Sequence, residues 1–300
     1  MDKLKAMATF VQIAEAGSLS AAARQSGASL PAVVRTLAAL EAELGVRLFN
    51  RTTRRIALTE EGRQYLDACR HLLAAVQEAE AALDHQATEP SGPLSITAPV
   101  QFGEQFVAPA ITRFVQQHPR VRCNVLLYDR VVNLLEEGID VGVRIGPLED
   151  SSLVAHRVGE VRRMVVASPA FLASQPPLKH PRDLLAANCI GLTGASGHWW
   201  DFLDRGRPLH LTVQGNLSFN HVAPAVKACL AGVGYGSFIS YQVAPYLADG
   251  RLQAVLEDHE TDPRPIHVVV PHARLLPART RKLVDWLRAT LSSTVFGPSR

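Results

Sequence analysis

The chain has 300 residues, 47% of them apolar and 20% charged, with a formal net charge of +3. At roughly 100–200 residues per domain the length suggests two or three domains, and the apolar content excludes a strongly charged disordered chain. No run of 18 apolar residues occurs, and Met1–Ala16 lacks a basic stretch leading into an apolar core and a small-residue cleavage site, so a cytoplasmic protein without a membrane partner is expected.

Leu4, Met7, Phe10, Val11 and Ala14 recur with helical period, and Gly17 ends that run. Ser18 is suited to cap a second, alanine-rich helix over Leu19–Ser26, Gly27 makes a turn, and a third helix is expected from about Leu30 to Leu44 with Gly45 at its end. Val46–Phe49 and Arg55–Leu58 read as two short strands flanking Asn50–Arg54. Helix, tight turn, helix and hairpin is the pattern of a winged helix-turn-helix. Residues 1–88 carry ten Lys/Arg and ten Asp/Glu, yet Arg24, Arg35, Arg47, Arg51, Arg54 and Arg55 crowd into Gly17–Ile56 against only Glu41 and Glu43. A basic face on a neutral segment fits a surface for double-stranded DNA; a solvated arginine cluster is the plainer alternative.

Thr59 is placed to cap a long helix reaching about Ala87, with acidic residues in its first turn. Tyr65, Cys69, Leu72, Val76, Ala79 and Leu83 fall at heptad spacing, so this helix is expected to pair with a second copy, or else to pack on its own chain. Thr88–Pro93 then reads as a linker.

Beyond it the rhythm changes. Leu94–Ala98, Val121–Leu127 and Asp140–Arg144 read as strands separated by a helix ending at Pro119 and a short helix over Val131–Glu137, which indicates a parallel sheet. Val161–Ala167 reads as one strand. Leu209–Gly215, Gly232–Phe238, Leu252–Leu256 and Ile266–Val270 follow, with helices near Ala223–Ala231, Ser240–Leu247 and Ala278–Leu291. About 200 residues of this kind can form two lobes, and if the last strand and helix return to the first lobe the two are joined by two crossovers. The division expected is 1–58 for the winged module, 59–88 for the long helix and 89–93 for a hinge. The α/β half follows over 94–300, its first lobe about 94–164 and 265–300, its second about 165–264.

Enzyme signatures are scarce. There is no GxSxG, HExxH, GxGxxG or Walker loop, and Gly232-Val-Gly-Tyr-Gly lacks the lysine of a phosphate loop. Cys69, Cys123, Cys189 and Cys229 are at least 40 residues apart, and the histidines show no ligand spacing, so no catalytic residue, metal or cofactor is expected. The start of the third helix offers Ser29, Leu30, Pro31, Val34 and Arg35 to a major groove. Arg35 can donate to guanine or phosphate, Leu30 and Val34 can touch thymine methyls or pack internally, and Arg51, Arg54 and Arg55 would lie on the DNA backbone or minor groove.

Phe10-Val-x-Ile-Ala-Glu-x-Gly-Ser-Leu-Ser-x-Ala-Ala, Leu40-Glu-x-Glu-Leu-Gly-Val-Arg-Leu-Phe, Arg51-Thr-Thr-Arg and Leu58-Thr-Glu-x-Gly closely resemble the LysR-type transcriptional regulators. Glu137-Gly-x-Asp-Val-x-Val-Arg-Ile-Gly, Asp150-Ser-Ser-Leu-Val-Ala and Ala167-Ser-Pro-x-Phe-Leu extend the likeness over nearly the whole chain. The resemblance implies an α/β chain overall: a winged helix-turn-helix, a linker-helix dimer and a two-lobed effector domain like a periplasmic binding protein. It also implies a homotetramer, a small organic effector in the interlobe cleft and, for an activator, contact with RNA polymerase. One stretch departs from the family: Leu30 and Val34 stand where it usually has glutamine and serine, which suggests a changed operator preference. The family cleft maps onto Thr97, Pro99, Val100, Gln101, Tyr128, Arg144, Asn216 and Phe219. A helix start after Ala98 would favour an anion such as a carboxylate, and Arg144 is either a carboxylate clamp or a structural partner of Asp129 or Asp140. Trp199, Trp200, Phe219 and His221 would add an aromatic component or serve as core. The alternative to a DNA-binding, ligand-responsive regulator is a small-molecule binding or transport module whose N-terminal helices serve assembly.

Overall fold

Glycine-ended helices build the first module. The computed structural model describes residues 2–51, 56–83, 89–148, 153–193, 199–271 and 276–297. Helices α1 (Lys3–Ala16), α2 (Leu19–Ser26) and α3 (Leu30–Leu44) start at the side-chain caps Asp2, Ser18 and Ser29. The α2–α3 turn is tight because Gly27 takes a left-handed φ of 64°. Ala22 and Ala23 are buried, so α2 lies close against its neighbours, while Met7, Phe10, Ile13, Val33, Leu37 and Leu40 fill the core.

Strands β1 (Phe49–Arg51) and β2 (Ile56–Leu58) pair antiparallel as the wing. The first begins at Phe49 rather than Val46, because the Glu41 carboxylate of α3 accepts from the N–H groups of Leu48 (2.9 Å) and Phe49 (3.3 Å) and holds the approach to the strand. The long helix α4 (Glu60–Leu83) is capped by Thr59, whose hydroxyl accepts from Gly62 N at 2.9 Å. A Cβ on Gly62 would stand 2.0 Å from the Leu48 carbonyl oxygen, so only glycine lets α4 lie this close to the wing. The heptad expectation is corrected here. Tyr65 packs on Phe10, with ring centroids 5.6 Å apart, and Cys69 is fully buried in the core of its own winged module. Leu72, 50% exposed, is a seam position left open to a partner, and Val76 is half buried. The expected extension to Ala87 lies outside the described residues.

In the second half, β3 (Gly92–Ala98) runs into α5 (Val100–Phe102), a π turn (Gly103–Val107) and α6 (Ala108–Gln117). Strands β4 (Val121–Leu127), β5 (Val141–Ile145) and β6 (Val154–Val161) follow. The second lobe carries β7 (Arg163–Ala167), α7 (Pro169–Ser174), β8 (Gly191–Leu192), β9 (Trp199–Asp204), β10 (Arg207–Thr212) and β11 (Ser218–Phe219). It continues with α8 (Val222–Leu230), β12 (Gly236–Ile239), α9 (Ser240–Ala248) and β13 (Gln253–Val255). Finally β14 (Arg264–Val270) and α10 (Ala278–Ser292) return to the first lobe.

The first sheet has the order β4-β3-β5-β14-β6. It is mixed rather than wholly parallel: β3 is parallel to β4 and β5, while β14 runs antiparallel to β5 and β6. Leu94, Ile96 and Ala98 alternate onto the face packed with Phe114, Leu283 and Leu287, which turns Thr97 to the other face. The second lobe is built on β12-β7-β13 and a β9–β10 hairpin, whose two-residue turn at Arg205-Gly206 has positive φ at both positions. Two expected elements differ. Val131–Glu137 yields a single turn rather than a helix: Asn133 caps it, with Oδ1 accepting from Leu135 N at 3.1 Å and the carbonyl oxygen accepting from Glu137 N at 3.1 Å, but Gly138, at φ 62°, ends it at once. The expected strand Val161–Ala167 breaks at Arg162, where the chain crosses between lobes.

That crossing is clamped. Arg162 forms a buried fork on Glu260, with Nε at 2.7 Å and Nη2 at 2.9 Å, and reaches Glu257 at 3.3 Å on the other crossover. Ser240 Oγ accepts from Arg162 N at 3.2 Å and donates to Phe296 O at 3.0 Å, tying α9 to the chain after α10. A cavity of about 330 Å³ opens behind this hinge, lined in part by Arg162, Glu260, Ser240 and Phe296.

Candidate functional site

Two surfaces gather the side chains singled out in the sequence. The first is the start of α3. Ser29 caps the helix by accepting from Ala32 N at 3.4 Å. Pro31, in the first turn, loses no hydrogen bond there. Leu30, Pro31 and Arg35 are exposed and Val34 is half buried, whereas Val33, Leu37 and Leu40 turn inward. Arg24 and Arg47 are also exposed. Acidic side chains nearby are engaged: Glu43 pairs with Lys3 at 3.0 Å, and Glu41 holds the entrance to the wing. Arg51 lies in β1, and Arg54 and Arg55 lie outside the described residues.

The second surface lies where β3 ends. Thr97 is fully buried, sits opposite Gly142 in the β3–β5 register, and its Oγ1 has no hydrogen-bond partner. Gln101, in the first helical turn after it, buries Oε1 without a partner. Arg144, two residues beyond Gly142 on the same face of β5, gives Nη1 to Val143 O at 3.0 Å and buries Nη2 unsatisfied. Burial lowers the Arg144 pKa, and the nearby Glu137 charge only partly opposes this. Of the two structural partners weighed for Arg144, Asp129 accepts from Val100 N through Oδ1 at 3.0 Å, and Asp140 accepts from Ser95 N through Oδ2 at 2.8 Å. The helix start at Val100 therefore already holds a carboxylate of the chain itself, and an anion there would meet Asp129. Pro99 and Val100 are half buried at this edge.

The other residues are dispersed. Tyr128 packs with Leu134, Ile139 and Val269, with the Arg130 guanidinium 4.8 Å from its ring centroid. Asn216 is exposed and exchanges hydrogen bonds of 3.0 Å with Asn188. Phe219 packs against the α8 side of the second lobe, Trp200 is core, Trp199 is 71% exposed, and His221 precedes α8. Arg163, the first residue of β7, was not singled out by the sequence reading. Burial and the Arg264 charge push its pKa down to about 10, and its Nε has no partner. Tyr241 of α9 packs into the core of the first lobe, edge-on to Phe102 and Phe106, which marks the junction of the lobes. Its only sequence signal is an arginine inside an apolar strand pattern.

All four cysteines are free thiols, and burial pushes Cys189 and Cys229 up to about 12, which leaves them little thiolate. Among the described residues no group of three or more His, Cys, Asp or Glu could hold a metal ion, and no helix is long and apolar enough to cross a membrane.

Residues 4–63 match the family model for a bacterial regulatory helix-turn-helix protein of the lysR family, and residues 87–292 match that for a LysR substrate binding domain. A transcriptional repressor of Pseudomonas aeruginosa is 36% identical, covering 96% of this chain and 92% of its own length; the regulator PtxR of the same species is 33% identical with the same coverages. Among solved structures, full-length CrgA of Neisseria meningitidis superposes with a TM-score of 0.61 at 30% identity, covering 96% of this chain and 99% of that one. The virulence activator AphB of Vibrio cholerae gives 0.62 at 26% identity with the same coverages. The glycine-ended three-helix head with its wing, the long α4 and the two-lobed α/β half are thus shared end to end, and the chain belongs to the LysR family of DNA-binding, ligand-responsive transcriptional regulators.

Proposed function

We propose that this regulator binds promoter DNA through Ser29, Leu30, Pro31, Val34 and Arg35 of α3 and through the wing arginines Arg51, Arg54 and Arg55. It assembles as a dimer along α4 and as a homotetramer overall, works in the cytoplasm, and touches RNA polymerase where it activates. Its effector is a small organic molecule held between the lobes at Thr97, Gln101 and Arg144, with Pro99, Val100, Tyr128, Asn216 and Phe219 bordering the approach. One observation carries the effector reading: Thr97 Oγ1, Gln101 Oε1 and Arg144 Nη2 are buried polar atoms without partners. Each such group costs about 1–3 kcal/mol until something satisfies it. A ligand with both a donor and an anionic acceptor, such as a hydroxy or amino carboxylate, would supply what all three lack. It would favour one arrangement of the lobes and so shift the spacing of the DNA-binding heads. A tenfold bias needs only about 1.4 kcal/mol of differential affinity.

The test is a thermal-shift screen of small carboxylates on the full chain, repeated with Thr97→Val and Arg144→Met. The expected result is a ligand that raises Tm in the parent and loses that effect in both variants, while the ligand-free variants melt no lower than the parent. A ligand that stabilises parent and variants equally would place the site elsewhere.

A further inference from the structure

In a helix-turn-helix the second helix enters the major groove, which here is α3. From Leu30 to Ala39 its exposed side chains are Leu30, Pro31, Arg35, Ala38 and Ala39, and four of these five carry no hydrogen-bonding atom. Leu30 is 42% exposed, with Val34 half buried one turn on. The exposed Ser29 oxygen accepts from Ala32 N as the helix cap, which leaves its hydroxyl proton for a phosphate rather than a base edge. Charge around this face is positive, from the exposed Arg24, Arg35 and Arg47, while Glu41 and Glu43 are occupied elsewhere. The surface is thus complementary to a polyanion and nearly devoid of groups that read donors and acceptors.

The major groove offers one apolar feature, the C5-methyl of thymine. We infer that α3 selects its half-site by packing Leu30 and Val34 on thymine methyls, with Arg35 as the single hydrogen-bonding reader on that face. The operator is then defined by where methyl groups stand more than by a pattern of base donors and acceptors. This rests on the placement of α3 in the groove proposed above.

Duplexes bound by the full-length protein are selected from a random pool at about 150 mM salt, and the enriched duplex is resynthesised with deoxyuridine in place of thymidine. That exchange removes methyl groups while leaving every base hydrogen bond and phosphate charge in place. Affinity is expected to fall about fourfold for each methyl contacted, the factor that burying one methyl-sized group supplies, and hence about fifteenfold for two. In a Leu30→Gln, Val34→Ser variant the same exchange is expected to change affinity by less than the roughly fourfold that a single contacted methyl supplies. A deoxyuridine duplex bound by the parent as tightly as the thymidine duplex would overturn the inference while leaving DNA binding intact. Failure to enrich any duplex would instead defeat the placement of α3 on which it rests.

Discussion

Replacing Glu260 with alanine isolates what holds the two lobes at their hinge. The Arg162 and Glu260 side chains are 10% and 5% exposed and share two hydrogen bonds, of 2.7 and 2.9 Å. Removing one partner of a buried pair leaves the other charge desolvated, at a cost of about 3–5 kcal/mol. Two features place this site at the low end: Glu257, itself 56% exposed, remains 3.3 Å from the guanidinium, and the cavity behind the hinge admits water. About 3 kcal/mol in a domain of roughly 200 residues lowers Tm by about 6–12 °C. The paired change Arg162→Met, Glu260→Leu is expected to recover most of that loss, since apolar groups of similar volume carry no desolvation penalty. Calorimetry of the full chain reads this, with the effector-domain transition fitted separately because a multidomain chain is not two-state. A single variant melting within about 2 °C of the parent, or a double variant as unstable as the single one, would refute the assignment of the clamp.

Leu72→Asp on the open face of α4 should shift sedimentation toward smaller assemblies; sedimentation identical to the parent would mean that this face is not the essential interface. His156 and His267 both titrate below the usual imidazole value of 6.5, first through burial and then through the charges of Arg288 and Arg157 respectively. The unfolded chain therefore takes up these protons first, so their stabilising contribution is complete above about pH 6.5 and declines as pH falls toward the lowered folded values. Urea midpoints measured from pH 8 to pH 5 should show that decline, flattened in a His156→Asn, His267→Asn variant. Cys189 and Cys229 should resist a thiol reagent at pH 8 in the native chain and react in denaturant, and fast native reaction at either would contradict their burial.

Much of the winged module was legible from local chemistry. Ser18, Ser29 and Thr59 cap helices because a hydroxyl at the residue before the first turn satisfies an amide within that turn, and Gly17, Gly27 and Gly45 stop helices by their own backbone freedom. Thr97 and Gln101 could be placed together for the same reason, since a strand end and the helix turn that follows are neighbours in sequence. The unpaired state of their oxygens, and of Arg144 Nη2, could not be read, because it depends on which atoms from distant segments fail to arrive. Arg163 and the Arg162–Glu260 fork escaped the sequence reading likewise: the fork joins residues 98 positions apart across two crossovers. The antiparallel return of β14 between β5 and β6, which turns one long α/β segment into two hinged lobes, is a matter of pairing rather than pattern. The heptad of α4 makes the same point. Periodicity names the helix face that must leave water but not what covers it, and Tyr65 and Cys69 are covered by α1 and the wing because those elements fold onto α4 within one chain, where no partner has to be recruited.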